Sequence, residues 1–330
     1  MGKTKIEWTH AAGRVGMSWN PVRGCRRISA GCEHCYAETM AARFSGPGLP
    51  FEGVITNGRW NGKVEPLPEK LAEPLRWRKP RMVFVGSMSD LFHEDVPNEF
   101  IENIVGVMAA CPDHIFQVLT KRPERMRRLL SEREMTPEMV EAVGGQLFQQ
   151  STLHREGIMS VGQSGHPSWI TVEHAGGSYA IPTLPLLNAI LMTSVENQKQ
   201  ADARIPHLLA TPAAVRGVSI EPMLEEIELP GLRCDGCGYT SRDKRKLGDH
   251  HLCKAPSPTL DWVIAGSESG PRRRPADPDW FRSLRDQCVD AGVSFFLKQM
   301  HIDGKKVSLP ELDGRKWAEM PEMEERGWRP

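Results

Sequence analysis

Residues 189–220 read AILMTSVENQKQADARIPHLLATPAAVRGVSI, in which two short apolar runs flank a helix-like segment. The runs at 189–195 and 215–220 are apolar over most of their length, as strands buried on both faces are. A helical spacing of apolar residues marks the segment at 201–210. Strand, helix and strand in this order predict two parallel strands joined by a helical crossover.

The same alternation of strand and helix patterns extends along the rest of the chain. Repeated strand-then-helix order predicts a parallel sheet, open or closed into a barrel. Two spacers, residues 135–185 and 229–259, are too long for simple crossovers, so we expect both to be insertions on a barrel rim. The other strand candidates are 18–22, 82–86, 115–120, 260–266 and 294–298, and the other helical patterns are 36–44, 97–111, 123–134 and 277–291.

The composition describes a chain without net charge. Its 330 residues include 42 basic and 42 acidic ones, so any basic surface must be local. No apolar run reaches the length of a signal peptide or a membrane span, so we expect a cytoplasmic protein without a membrane partner. Because the cytosol keeps thiols reduced, the eight cysteines are better explained as metal ligands than as disulfides. Cys111 and Cys288 are exceptions, which we expect to be buried structural thiols.

Three cysteines, Cys25, Cys32 and Cys35, stand in the run GCRRISAGCEHCYA at 24–37. The C-x6-C-x2-C spacing places three thiolates close together without a fourth local ligand. An iron–sulfur cube bound here would therefore keep one iron open to an exogenous ligand. Two alternatives stay open: a zinc site completed by His34 or a distant residue, and thiols that bind nothing.

Polar residues follow the predicted strands in a repeated pattern. Two Ser-x-Glu motifs begin at Ser194 and Ser219, and a Ser-Glu pair begins at Ser267. Since the carboxyl ends of parallel strands converge on one mouth, we expect these hydroxyls and carboxylates to face a common space, where active sites are built. The alternative is a ring of salt bridges that closes the barrel mouth without doing chemistry. Further polar residues at strand ends are Asp90, Lys121 and Lys298.

A second cysteine cluster lies in the spacer at 229–259. It fits a zinc finger with three cysteines and one histidine, and His251 could compete with the histidine before it. One interpretation is a staple for a long rim loop. The other is a nucleic-acid contact through the basic run at 242–246, joined by basic residues at 122–128 and 272–274. The four expected zinc ligands are Cys234, Cys237, His250 and Cys253.

These features predict a barrel in two parts with a zinc-binding insertion. The expected boundaries are 1–228 for the first part of the barrel with its insertion at about 135–185, 229–259 for the zinc finger, 260–300 for the completion of the barrel and 301–330 for a C-terminal tail.

A set of short motifs spread from Lys5 to Gln299 carries a resemblance to a known family. The motifs are KIEWT at 5–9, WNPVRGC at 19–25, GCEHCYAE at 31–38, SDLFH at 89–93, LTKRP at 119–123, SVENQ at 194–198, VSIEP at 218–222 and FLKQ at 296–299. Together they resemble the phage and prophage three-Cys-motif proteins. The wider radical S-adenosylmethionine superfamily includes spore photoproduct lyase, which is loosely similar. The resemblance implies an α/β fold, a partial (β/α) TIM-like barrel of the radical S-adenosylmethionine type. The commonest loop of that superfamily has three residues between its first two cysteines, where this chain has six.

The resemblance also implies roles for residues already singled out. Cys25, Cys32 and Cys35 would ligate three irons of a [4Fe–4S] cluster. The amine and carboxylate of S-adenosylmethionine would take the fourth iron, and reduction would release a 5′-deoxyadenosyl radical. Further implied cofactor contacts are Gly86 and Ser87 for the amino group, Ser194 and Glu196 for the ribose and carboxylate, and Glu221 for the adenine or a neighbouring side chain. The residues left to face substrate, as phosphate or base contacts or as proton donors, are Lys121, Glu268 and Lys298.

We therefore expect a radical S-adenosylmethionine enzyme that modifies or repairs a nucleic-acid base or nucleotide, with a [4Fe–4S] cluster, S-adenosylmethionine and Zn²⁺ as cofactors. The expected partners are DNA or RNA and an electron donor such as flavodoxin or ferredoxin, with a separately encoded partner protein as a further candidate. The alternative is a nucleic-acid-binding protein whose cluster is structural or redox-sensing, without turnover. A zinc-only scaffold for a partner enzyme is a third interpretation.

Overall fold

The computed structural model describes residues 3–4, 6–10, 13–131, 169–174, 177–182, 184–234 and 258–323. Within these residues one main sheet has eight strands, which we number in chain order, and five α-helices are present. The strands are β1 (Val15–Trp19), β2 (Arg81–Val85), β3 (Ile115–Thr120), β4 (Ala189–Ser194), β5 (Val215–Ile220), β6 (Trp262–Gly266), β7 (Ser294–Ile302) and β8 (Lys305–Ser308). The helices are α1 (Tyr36–Arg43), α2 (Asn98–Ala109), α3 (Pro123–Ser131), α4 (Gln198–Leu209) and α5 (Pro278–Ala291).

The eight strands lie side by side in the order in which the chain makes them. The first seven run parallel, and β8 pairs antiparallel with β7. The sheet is curled into a half-barrel that helices flank. The predicted mixed α/β class and partial barrel are therefore confirmed at this level, and a strand or helix overlaps each predicted one. The first strand spans Val15–Trp19 rather than the predicted 18–22, and residues 132–134 of the third predicted helix lie outside the described residues.

The two faces of each parallel strand enter different cores, because side chains alternate along a strand. On β2, Val83 and Val85 pack with the helices outside the sheet, whereas Met82 and Phe84 face the inside of the half-barrel. The inner core also takes Ile190 of β4 and other residues from the amino-terminal parts of the strands. The amino-terminal part of the interior is thus packed with apolar side chains, which leaves the carboxyl ends of the strands for polar residues.

The sheet extends beyond residue 300, where the predicted barrel ends. Strand β7 continues to Ile302, and a two-residue turn at Asp303 and Gly304 leads into β8. Both turn residues have positive φ angles, 49° and 73°, as the tight hairpin turn favoured by Asp-Gly requires. The Asp-Gly turn therefore encodes the hairpin of β7 and β8 locally, although the sequence analysis ended the barrel at residue 300.

Short two-stranded elements complete the described fold. They are Val22–Arg23 with Glu65–Pro66, Ile55–Thr56 with Arg59–Trp60, Trp169–His174 with Gly177–Pro182, and Glu311–Leu312 with Arg315–Lys316. Cys111 and Cys288 are buried, as predicted. No helix in the described ranges combines the length and the apolar character that crossing a membrane requires.

We expect Trp262→Ala to destabilise the protein strongly, because this fully buried ring anchors the inner core. Its ring centroid lies 6.1 Å from that of Trp8 and 6.3 Å from that of Phe296. Truncation should lower the free energy of unfolding by about 3–5 kcal/mol, measured by urea denaturation. The exposed Ile302→Ala should change it by no more than about 0.5 kcal/mol. Equal small effects of both substitutions would mean that the inner face is not a packed core.

Candidate functional site at the carboxyl end of the half-barrel

Polar side chains from neighbouring strands meet at the carboxyl end of the half-barrel. Lys121, just after β3, donates through Nζ to the hydroxyl of Ser194 at the end of β4 (2.8 Å). Lys298 of β7 forms an ion pair with Glu221, which follows β5 (Nζ–Oε1 2.9 Å). The structure therefore brings these predicted residues together in two pairs. We define the mouth as Lys121, Ser194, Glu196, Glu221, Glu268 and Lys298.

The segment that carries the three cysteines lies against this mouth. This cysteine loop, residues 24–35, joins the short strand Val22–Arg23 to α1. The backbone N–H of Gly31 donates to Glu196 Oε1 (3.1 Å), and His34 donates through Nδ1 to Glu268 Oε2 (2.9 Å). Arg274, in the segment between β6 and α5, donates to the carbonyl oxygen of Ala30 (3.0 Å). Residues that follow β4 and β6 thus hold the loop in place.

A close backbone approach at Gly31 makes this contact possible. A Cβ atom built on Gly31 would lie 3.1 Å from the carboxyl carbon and from Oε2 of Glu196. Glu196 cannot easily move away, because its side chain is only 1% exposed and its other oxygen accepts from Arg204. Glycine is therefore the residue that lets the cysteine loop reach this carboxylate.

The three thiols are partly exposed, and none is in a disulfide. Burial, together with the neighbouring Asp90, Cys35 and Cys32, raises the pKa of the Cys25 thiol to about 12, and Arg122 opposes this rise. Cys25 is therefore within electrostatic reach of the other two thiols. In the part of the chain that the structure describes, no three Cys, His, Asp or Glu side chains converge as they would on a single metal ion.

Two carboxylates of the mouth form ion pairs with arginines. Glu196 Oε2 lies 3.1 Å from Arg204 Nη1, and this arginine also donates to the carbonyl oxygen of Ser194 (2.7 Å). Glu268 accepts from Arg274 through both of its oxygens, and Arg274 also reaches Glu33 (3.1 Å). Ion pairs of the kind that the alternative explanation of the polar strand ends requires are therefore present at the mouth.

The electrostatics of Glu268 argue against its predicted use as a proton donor. Burial raises the pKa of this carboxyl, but hydrogen bonds from Arg274 and His34 outweigh burial and lower the pKa to about 2. A group with such a pKa is ionised at neutral pH and has no proton to give. In the structure Glu268 instead accepts hydrogen bonds from His34 and Arg274 and holds both side chains in place.

A third buried ion pair lies beside the start of the cysteine loop. Asp90 accepts from Thr120 Oγ1 (2.6 Å), from the backbone N–H of Lys121 (3.0 Å) and from Arg122 Nη1 (3.0 Å). Arg122 also pairs with Glu94 (2.9 Å). This network ties the end of β3 to the segment after β2.

Three of the basic residues predicted to contact phosphates are engaged inside the protein. Arg122 and Arg274 are in the ion pairs described above. Arg125 donates to the carbonyl oxygens of His93 and Val96 and to Asn98. Among the described residues of the same runs, Arg128, Arg272 and Arg273 are exposed. The positive rim stays a prediction, because the basic run at 242–246 lies outside the described residues.

The turn after β2 lies next to the cysteine loop. Gly86 has a φ of 74° and donates its backbone N–H to the carbonyl oxygen of Trp19 (2.8 Å). Ser87 donates its hydroxyl to Asn20 Oδ1 (3.1 Å). A single β-bridge pairs Gly24, the first residue of the cysteine loop, with Ser89. The predicted Gly86 and Ser87 element thus flanks the loop.

Sequence reasoning missed Arg204, although a signal for it exists. This arginine lies on the buried face of α4 with Ala201, Ile205 and Leu208, at the spacing of a helix stripe that packs on a core. An arginine in an apolar stripe needs a buried anion as partner. The nearest acidic residue before the helix is Glu196, so the sequence indicates an ion pair between Arg204 and Glu196.

The second cysteine cluster is described only at its first member. Cys234 is buried. The other predicted zinc ligands, Cys237, His250 and Cys253, lie outside the described residues, as does the basic run at 242–246.

Comparison with known proteins gives one match. A family model described as "Protein of unknown function (DUF5131)" matches residues 3–321. No curated protein matches the chain, and no solved structure does. Because the match spans nearly the whole chain, the protein belongs to the DUF5131 family.

Proposed function

We propose that this protein is an iron–sulfur enzyme of the radical S-adenosylmethionine type that modifies or repairs a nucleic-acid base or nucleotide. One observation carries the proposal: three unbridged thiols lie on one loop, which Glu196 and Glu268 hold against the carboxyl end of a half-barrel. Active sites of parallel barrels are built at this end.

The donor set fits an iron–sulfur cluster. All three thiols stand on one loop, and Cys25 lies within electrostatic reach of both Cys32 and Cys35. His34 donates through Nδ1 to Glu268, which orients its ring and leaves Nε2 as its only metal-binding atom. In a cluster, the three cysteines would hold three irons and leave one open.

The bound cluster and S-adenosylmethionine would supply one-electron cleavage of the sulfonium and hydrogen abstraction from substrate. The chain's own residues bind and orient the reactants. Ser194 accepts a hydrogen bond from Lys121, so its own hydroxyl proton is left to donate to a ligand oxygen. Glu196 has both oxygens engaged, and we assign it to holding Gly31 rather than to the ribose contact that the resemblance implies.

Further parts of the proposal concern the substrate side. Lys121 and Lys298 are the cations of the mouth that remain for a phosphate or a base, each in contact with one neighbour, Ser194 or Glu221. The exposed Arg272 and Arg273 stand next to Arg274, which touches the cysteine loop. This proximity supports nucleic acid as the substrate class. We also propose a zinc finger at 229–259 and a cytoplasmic location, where thiols stay reduced.

A second candidate function is a nucleic-acid-binding protein whose cluster is structural or redox-sensing. The ion pairs at the mouth favour it, because arginines neutralise Glu196 and Glu268 and hold these carboxylates in structural contacts. Turnover of S-adenosylmethionine separates the two functions.

We expect the protein purified without oxygen to be brown and to bind about four irons per chain, with loss of most of that iron in Cys32→Ala. Each thiolate holds one iron, so two thiolates retain the cube poorly. Iron and sulfide analysis measures this. The matched control is Cys111→Ala, which removes a buried thiol outside the loop and should keep wild-type iron. If a variant in which all three loop cysteines are replaced binds as much iron per chain as the wild type, the cluster assignment is refuted.

We expect the reduced, cluster-loaded protein to convert S-adenosylmethionine to 5′-deoxyadenosine, even without substrate. Ser194→Ala should raise the dissociation constant for S-adenosylmethionine by about tenfold, the equivalent of one lost hydrogen bond to a charged or strongly polar partner. Chromatography of the product and equilibrium binding measure the two effects. An intact cofactor after full reduction, with and without nucleic acid, would favour the second candidate function.

We expect Gly31→Ala to accelerate iron loss several-fold, because the added methyl group pushes the loop away from Glu196. The rate of iron transfer to a chelator measures this. Gly46→Ala is the matched control, since its Cβ meets nothing closer than Leu49 at 3.5 Å. Equal rates in both variants would show that the contact between Gly31 and Glu196 does not hold the loop.

A further inference from the structure

Two exposed cations, Arg273 and Lys306, lie at the hairpin of β7 and β8. Within the ranges that the structure describes, neither forms an ion pair. The arginines at the mouth differ in this respect, because Arg122, Arg204 and Arg274 each pair with a carboxylate. Cations that stand close together without an acidic partner attract an anionic ligand.

His301 of β7 faces both of these cations. It is the cross-strand partner of Lys306, so the two side chains share one face of the hairpin. Arg273 donates to the carbonyl oxygen of Gly304 in the turn (2.7 Å), which holds the segment between β6 and α5 against the hairpin. Burial lowers the pKa of the His301 imidazole, and the charges of Arg273 and Lys306 lower it further. The charged groups that act on this ring are therefore both cations.

The imidazole of His301 is fixed in orientation by a buried hydroxyl. Its Nδ1 lies 2.9 Å from Oγ of Ser267, which is 3% exposed. Ser267 is held in turn by Gln299, which donates through Nε2 to the carbonyl oxygen of Ser267 (2.6 Å) and accepts the Ser267 N–H at its own carbonyl oxygen (3.1 Å). Because Nδ1 is engaged, Nε2 is the ring nitrogen left for a ligand. With Ser267 as the donor to Nδ1, the neutral ring carries its proton on Nε2.

These side chains lie on the same face of the sheet as the mouth. A Cβ atom built on Gly266 would lie 2.8 Å from Glu221 Oε1 and 3.2 Å from Cγ of Gln299, so the Gln299 side chain stands beside the mouth. Residues two apart on a strand point to the same face, which places His301 about 7 Å beyond Gln299 on that face. We call His301, Arg273 and Lys306 the hairpin cluster.

The donors of the hairpin cluster fit a phosphate monoester. Such a group carries a charge of about −1.5 to −2 at neutral pH and has three strong acceptor oxygens. The cluster offers it an ammonium group, a guanidinium group and the imidazole Nε2, which are separate donors that include two cations. A phosphodiester inside a nucleic acid has a single charge and fewer free oxygens, so it would use the cluster less fully.

We propose that the hairpin cluster binds the phosphate group of a nucleotide, an inference that rests on the proposed function and names its substrate class. His301, Arg273 and Lys306 each contact the phosphate, and the sugar and base extend along β7 towards the mouth. The basic run at 272–274 already predicted Arg273 as a phosphate contact. His301 and Lys306 join it only in the folded protein, through the pairing of β7 with β8.

The test compares two neighbouring lysines of β8. Lys306 belongs to the hairpin cluster, whereas Lys305 is the cross-strand partner of the exposed Ile302 and faces the other way. Calorimetry measures the binding of ribonucleoside and deoxyribonucleoside 5′-monophosphates and of the corresponding nucleosides. We expect Lys306→Ala to raise the dissociation constant for a bound monophosphate about tenfold, the equivalent of one lost charge-assisted hydrogen bond.

Lys305→Ala is the matched control, because it removes the same charge from the opposite face of the same strand. It should change the dissociation constant for the monophosphate by less than about twofold. The affinity for the nucleoside, which has no phosphate, should be the same in both variants and in the wild type.

Three outcomes would overturn the phosphate assignment. They are equal dissociation constants in the two lysine variants, no binding of any monophosphate by the wild type, and tighter Lys306-dependent binding of an oligonucleotide with a 5′-hydroxyl end than of any monophosphate. Failure of the proposed function gives a different result: a protein that holds no iron and leaves S-adenosylmethionine intact, yet binds monophosphates through Lys306, would refute that function and retain the phosphate site.

Discussion

The buried carboxylate of Glu196 is the contact on which the arrangement of the site depends. It follows β4, pairs with Arg204 of α4 and accepts the backbone N–H of Gly31 from the cysteine loop. A carboxylate removed from water must find a cation and hydrogen-bond donors, and here each donor comes from a different element. One group therefore locks strand, helix and loop together, and it sets where the thiols lie relative to the half-barrel.

The ion pairs at the mouth separate residues that hold the site from residues left for chemistry. Arg122, Arg204 and Arg274 each neutralise a buried or nearly buried carboxylate, and each also touches the cysteine loop or the strand end beside it. The thiols, the Lys121 and Ser194 pair and the Lys298 and Glu221 pair remain. The mouth thus combines separate ion pairs with a candidate reaction site, interpretations that the strand ends alone presented as alternatives.

Local patterns predicted most of the fold because the signals for strands, helices and turns each lie within a few neighbouring residues. Short and mostly apolar runs predicted most parallel strands of the sheet, since strands buried on both faces are rich in apolar residues. The hairpins at Asp303-Gly304 and Asp313-Gly314 were missed although Asp-Gly is a strong turn signal. Arginine partners were missed for another reason: pairing depends on how side chains meet after folding, whether the residues are near in the chain, as Arg204 and Glu196 are, or far apart, as Arg274 and Glu33 are.

The sequence by itself determined the alternating α/β architecture, the three-thiol loop and the convergence of polar residues on one end of the sheet. These properties follow from hydrophobic periodicity and from the geometry of parallel strands. Only the tertiary structure decided which polar groups form ion pairs, that Glu268 is held ionised, and that Tyr36 of α1 is exposed. The reason is that burial and electrostatic partnership depend on distances between segments, which no local pattern of residues contains.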